Sequence, residues 1–247
     1  MTPPLVLVHA FPLDSRMFDG IRPAVAGRTR LLTPDLRGFG GGPPLRSIGA
    51  AAPDLTVFAD DVLAELDTAG IERAVVGGVS MGGYIALNLL RRHPDRVAGL
   101  VLADTRSGAD DDAALERRRA AADHADRGEI AAGPDAIAPL VADTASGLLR
   151  ADLAAIAGAV PAATIAWSQR AMAARPDSTA VVAAVTVPVL VVVGEKDTVT
   201  PPAVARQLAA TAPEAELVEL PGVGHLSPAE DPVGFADALI GWLSRRF

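Results

Sequence analysis

The chain has 247 residues, half of them hydrophobic and 21% charged, with a formal net charge of −8 at pH 7. The absence of cysteine excludes disulfides, thiolate metal sites and a cysteine nucleophile, and the acidic balance disfavours a nucleic-acid surface. Lys196, the one lysine, follows Glu195 and so excludes a Walker-type phosphate loop, while His9, His93, His124 and His225 show no helical metal-pair spacing.

These counts leave chemistry run by hydroxyls, carboxylates, isolated histidines and backbone amides, with no cofactor and no metal expected. No apolar run reaches bilayer-spanning length and the first residues form no basic leader, so the expectation is a cytoplasmic chain with no membrane partner.

In chain order, Leu5–Val8 reads as a buried strand that ends in the loop His9-Ala10-Phe11-Pro12. Leu31–Thr33 is a second strand, followed by Pro34-Asp35 and the cluster Gly38–Gly42. The spacing of Phe58, Val62, Leu63, Leu66 and Ala69 predicts a helix stopped by Gly70. Strands Ala74–Val79 and Val97–Ala103 flank a helix from Met81 to Arg92, which ends before Pro94. After the strand Val187–Val193 come a helix over Val204–Ala212, a strand over Leu217–Leu220 and a helix over Phe235–Arg245. Continuous apolar strand runs alternating with amphipathic helices predict a doubly wound α/β fold, with a mostly parallel sheet of about six strands.

Residues 108–177 break the alternation. They are rich in alanine, arginine and aspartate, and Gly133-Pro134, Gly147, Gly158 and Pro161 divide them into about four short helices. The run Asp110–Asp112 before Arg117–Arg119 reads as a solvated helix start. The expected organisation is a core of residues 1–107 and 178–247, with residues 108–177 inserted as a helical cap.

The chemistry centres on Gly78-Val79-Ser80-Met81-Gly82, which joins a strand directly to a helix. In that context Gly-x-Ser-x-Gly lifts a serine hydroxyl above the sheet at a helix N-terminus, where negative charge is favoured. A serine nucleophile needs a base, and the base needs an orienting acid. Asp197 follows a later strand within Gly194-Glu195-Lys196-Asp197, and His225 follows the last strand within Gly222-Val223-Gly224-His225. Glu195 and Asp104 compete with Asp197 for the acid role. Asp197 also fits a helix start, and His225 also fits a loop histidine held by its neighbours.

These stretches, with His9-Ala10-Phe11-Pro12-Leu13-Asp14 and Asp35-Leu36-Arg37-Gly38-Phe39-Gly40, cover nearly the whole chain, and the chain resembles the α/β-hydrolase superfamily. It is similar to the compact bacterial branch of carboxylesterases, enol-lactonases and cofactor-free haloperoxidase-like enzymes. The resemblance implies Ser80 as nucleophile, His225 as base, Asp197 as its orienter, and the backbone N–H groups of Phe11 and Met81 as oxyanion donors. It gives His9, Asp35 and Arg37 structural roles.

The expected substrate pocket takes Phe11, Leu13 and Met81 from the core and Trp167 and Met172 from the cap, with packing inside the cap as the other reading of Trp167. Arg170 is a candidate for a substrate carboxylate, with an ordinary salt bridge as the other reading. Ala10 stands where many relatives carry glycine and is expected to narrow the acyl pocket. With only Met1–Pro4 before Leu5, the expectation is a sheet without the family's leading strands, whose exposed edge a second copy of the chain could cover, as in a homodimer. The implied activity is hydrolysis of a small or medium ester. Enol-lactonase activity and a ligand-sensing receptor with little turnover are the alternatives.

Overall fold

A computed structural model describes residues 2–48, 52–129 and 134–247. Six strands form one parallel sheet: β1 (Leu5–Val8), β2 (Leu31–Leu32), β3 (Ala74–Val79), β4 (Val97–Ala103), β5 (Val189–Gly194) and β6 (Glu216–Leu220). Their spatial order is β2-β1-β3-β4-β5-β6. This is the α/β-hydrolase arrangement the sequence suggests.

The period-2 alternation of side chains divides each inner strand between two cores. Val6, Val76, Leu100 and Val191 face one side, where α2 (Thr56–Thr68), α3 (Met81–Arg92), α8 (Thr179–Ala183) and α9 (Pro202–Thr211) cover them. Leu5, Val75, Val101 and Leu190 face the other, under α1 (Arg22–Ala26) and α11 (Pro232–Arg246), with Phe235, Leu239 and Trp242 as the main fillers. Burial on both faces explains why β1, β3, β4 and β5 lack an alternating polar pattern. The edge strand β6 is mostly half-buried, with Glu216 and Glu219 paired to arginines at the surface.

Between β4 and α8, the described residues form four α-helices: α4 (Asp112–Asp126), α5 (Pro134–Ile137), α6 (Gly147–Gly158) and α7 (Ala162–Ala173). Gly133, one of the expected breaks, lies outside the described residues. The last short helix, α10 (Ser227–Glu230), follows the histidine loop. No single helix among the described residues is long and apolar enough to cross a membrane.

One sequence expectation is overturned at the start of this helical segment. Asp111 caps α4 by accepting the Ala114 N–H at 2.7 Å, but Asp110 is not solvated. Its side chain is 2% exposed and pairs with both Arg175, at 2.7 Å, and Arg118. Arg175 in turn lies over the Tyr84 ring, 4.1 Å from its centroid. Two cations converge on one carboxylate here because α4 packs against α7 and must neutralise the charge it buries.

Candidate active site

In the sheet order, β1 connects outward to β2, and the chain then returns to place β3 on β1's other side. A crevice forms at such a reversal, beyond the carboxyl ends of the strands. The loops after β1, β3, β4, β5 and β6 carry Phe11, Ser80, Asp104, Asp197 and His225 to this one edge.

Ser80 sits between β3 and α3 with φ +53° and ψ −111°, a conformation costly for a residue with a Cβ. Its neighbours hold it there. A Cβ on Gly78 would lie 2.4 Å from the Gly82 carbonyl carbon, and one on Gly82 would lie 2.1 Å from the Val8 carbonyl oxygen. Both glycines are therefore required by backbone contact, which gives the motif its physical content. The Ser80 N–H donates to the Ala103 carbonyl at 3.0 Å, and the Thr105 hydroxyl donates to the Ser80 carbonyl at 2.8 Å.

His225 and Asp197 are both buried, with His225 Nδ1 2.8 Å from Asp197 Oδ2. Thr200 donates its hydroxyl to the same oxygen at 2.7 Å, while Asp197 Oδ1 accepts the N–H groups of Val199 and Thr200 at 2.8 and 2.9 Å. Burial alone would raise the Asp197 carboxyl, but the bonds from His225 and Thr200 outweigh it and hold the group below the ordinary carboxylate range. An ionised Asp197 fixes the histidine as the Nδ1–H tautomer and leaves Nε2 as an acceptor.

Ser80 and His225 share the wall of a cavity of about 450 Å³. No hydrogen bond joins their side chains among the described residues; such contacts are often loose without substrate. The backbone N–H groups of Phe11 and Met81 donate to no acceptor among the described residues, and Phe11 also lines the cavity. A larger depression of about 680 Å³ lies beside Gly38–Gly42 but contains neither Ser80 nor His225.

The competing acids have other places. Glu195 is at the surface, where it accepts the Gly222 N–H at 2.9 Å. Asp104, fully buried after β4 with φ +46°, accepts from Gly194 and Ser227 rather than from the histidine. Burial, with the nearby Asp197, pushes its carboxyl up to about 7 against the lowering effect of His225, Ser227 and Gly194. His9 is buried too. Its Nε2 accepts the Leu36 N–H at 3.1 Å and its Nδ1 faces the Ala10 carbonyl, so the ring clamps the loop after β1 to the loop after β2. Desolvation holds it below the usual histidine range, and it stays neutral.

Of the expected pocket residues, Phe11 and Met172 line the cavity while Met81 is buried in the core. Three further placements are corrected, with Trp167 and Arg170 taking the packing and salt-bridge readings that the sequence left open. Leu13 is fully buried in the core on the α11 side of the sheet. Trp167 turns its ring edge-to-face onto Phe58, with centroids 5.0 Å apart, and is a packing residue. Arg170 is outside the cavity and bridges Asp123 and Asp126 of α4, at 3.1 and 2.6 Å. Ala10 likewise points into the core and narrows no acyl pocket.

Sequence reasoning missed Tyr84, Arg106, Arg118 and Gln169 on the cavity wall. Arg106 had a readable signal, since it lies three residues past the end of β4 at the edge that carries Ser80.

Comparison with known proteins sharpens the assignment. Over 103 residues, 42% of this chain and 37% of the relative, the sequence is 41% identical to a pimeloyl-[acyl-carrier protein] methyl ester esterase of Aromatoleum aromaticum. The chain spans about a third of the length of the curated relatives it matches first. A thermophilic esterase from Thermogutta terrifontis, solved with malate bound, superposes with a TM-score of 0.90 and 33% identity, over 98% of this chain and 90% of that one. The enol-lactonase from Burkholderia xenovorans gives 0.87 and 26%, over 99% and 92%. The alpha/beta hydrolase family matches residues 5–238, nearly the full length. This chain belongs to the alpha/beta hydrolase family.

Proposed function

We propose that this hydrolase cleaves carboxylic esters through an acyl-enzyme, with Ser80 as nucleophile, His225 as base and Asp197 as the orienting acid. The observation that carries the reading is the buried His225–Asp197 pair at 2.8 Å, placed so that His225 shares a cavity wall with a strained serine. The esterase relatives support it from outside the site.

In the first half-reaction Ser80 Oγ attacks the ester carbonyl carbon as His225 Nε2 takes the hydroxyl proton. The carbonyl oxygen becomes an oxyanion, received by the N–H groups of Phe11 and Met81, the latter at the positive end of α3. Collapse expels the alkoxide, which takes the proton from His225 and leaves Ser80 acylated. Water then attacks the acyl carbonyl while His225 accepts its proton, and the acid departs as the proton returns to Ser80. Asp197 stays ionised throughout and stabilises the imidazolium.

Turnover of p-nitrophenyl acetate and butyrate by the wild type and by Ser80→Ala tests this. A fall of about 10³-fold or more in kcat is expected for the variant. Retained activity in Ser80→Ala refutes the role of the serine.

A further inference from the structure

The cavity that holds Ser80 and His225 also carries a charge the hydrolytic cycle leaves unused. Arg106 lines it from the loop after β4. Its Nη2 donates to the Val199 carbonyl at 2.8 Å, its Nε is buried with no acceptor, and among the described residues no carboxylate pairs with it. The other charged groups on the wall are satisfied. Arg118 pairs with Asp110 and also donates to Gln169 Oε1 at 3.1 Å, and Glu129 pairs with Arg127 at 3.0 Å. His124 is exposed, with Nδ1 2.8 Å from the Ala120 carbonyl.

A half-buried guanidinium without a counter-charge has lost hydration that the one bond to the Val199 carbonyl returns only in part. A carboxylate entering the cavity would return it through charge-assisted hydrogen bonds, with the planar fork that arginine offers. Ile165, Leu140 and Met172 line the same cavity and supply apolar wall for a short carbon chain.

We infer that Arg106 recognises a carboxylate on the substrate, so that the preferred esters bear a second, ionised carboxyl group. The inference rests on the serine-hydrolase reading and assigns that site its substrate class.

The test compares two anionic esters, monomethyl adipate and 4-acetoxybutyrate, with their neutral counterparts dimethyl adipate and butyl acetate. At least one anionic ester should exceed its neutral counterpart about tenfold or more in kcat/KM. Arg106→Gln should lower that anionic-to-neutral ratio by about 10–100-fold, and Arg106→Lys should keep the larger part of it. The ratio is indifferent to a general loss of active protein. Calorimetric titration with adipate reads the site without turnover, and binding should be present in the wild type and lost in Arg106→Gln. Adipate binding that depends on Arg106, with no ester cleaved, would uphold the carboxylate site while removing the hydrolase reading. An unchanged ratio in Arg106→Gln, or adipate binding that is absent or indifferent to the substitution, overturns the inference.

Discussion

The carboxylate of Asp104 accepts hydrogen bonds from both the hydroxyl and the N–H of Ser227, two residues past His225. Its other oxygen takes the Gly194 N–H at 3.0 Å, three residues before Asp197. One buried side chain thus ties the histidine loop to the acid loop. Asp104→Ala strands three donors and is expected to cost at least about 2 kcal/mol in chemical denaturation, with kcat reduced as the pair loosens. The same carboxyl is pushed up to about 7 from an ordinary 3.8, so the native state keeps its proton where the unfolded chain has lost it. Its contribution to stability therefore declines as pH rises from about 4 to about 7 and is level above. Unfolding midpoints at a series of pH values should show that decline in the wild type and lose it in Asp104→Asn.

Asp110 works with the opposite sign. Its two arginine partners overcome burial and hold its carboxyl down at about 2. The stabilisation is complete above the ordinary carboxylate range and disappears as pH falls through about 2. Asp110→Asn leaves Arg175 buried without its counter-charge and should cost on the order of 3 kcal/mol at neutral pH. Thermal unfolding of wild type and variant at neutral and acid pH measures both effects; the gap between them should narrow in acid.

Gly82→Ala places a methyl 2.1 Å from the Val8 carbonyl oxygen, at the contact of α3 with β1. Neither backbone can yield without moving Ser80. A loss exceeding about 3 kcal/mol is expected, read as a collapse in the denaturation midpoint or in soluble yield.

Arg170 should be nearly silent. Its side chain is 39% exposed and its pairs with Asp123 and Asp126 are at the surface, so Arg170→Ala should cost less than about 1 kcal/mol. Ester kcat/KM should change by no more than about threefold, because the residue is outside the cavity. Steady-state kinetics beside an unfolding curve checks both.

The contrast between Arg170 and Arg106 shows where sequence reading stopped. Strand runs such as Ala74–Val79 announce themselves because burial on both sheet faces removes every polar residue. The strand-turn-helix context of Ser80, with loops after β5 and β6 bearing Asp197 and His225, is legible because topology alone sends those loops to one edge. The cavity wall follows from how α4 and α7 lie over that edge, and their alanine-rich pattern does not say which face turns inward. Trp167 therefore read equally as a pocket or a packing residue, and it packs on Phe58; Asp110 read as solvated although two arginines bury it.

The central claim is that Ser80 is the group acylated in turnover. Incubation with a fluorophosphonate, followed by intact-mass measurement and peptide mapping, addresses it directly. The account predicts a single adduct on the peptide carrying Ser80, full loss of esterase activity in step with labelling, and no adduct on Ser80→Ala. Labelling at another residue, or esterase activity that survives complete modification of Ser80, would contradict it.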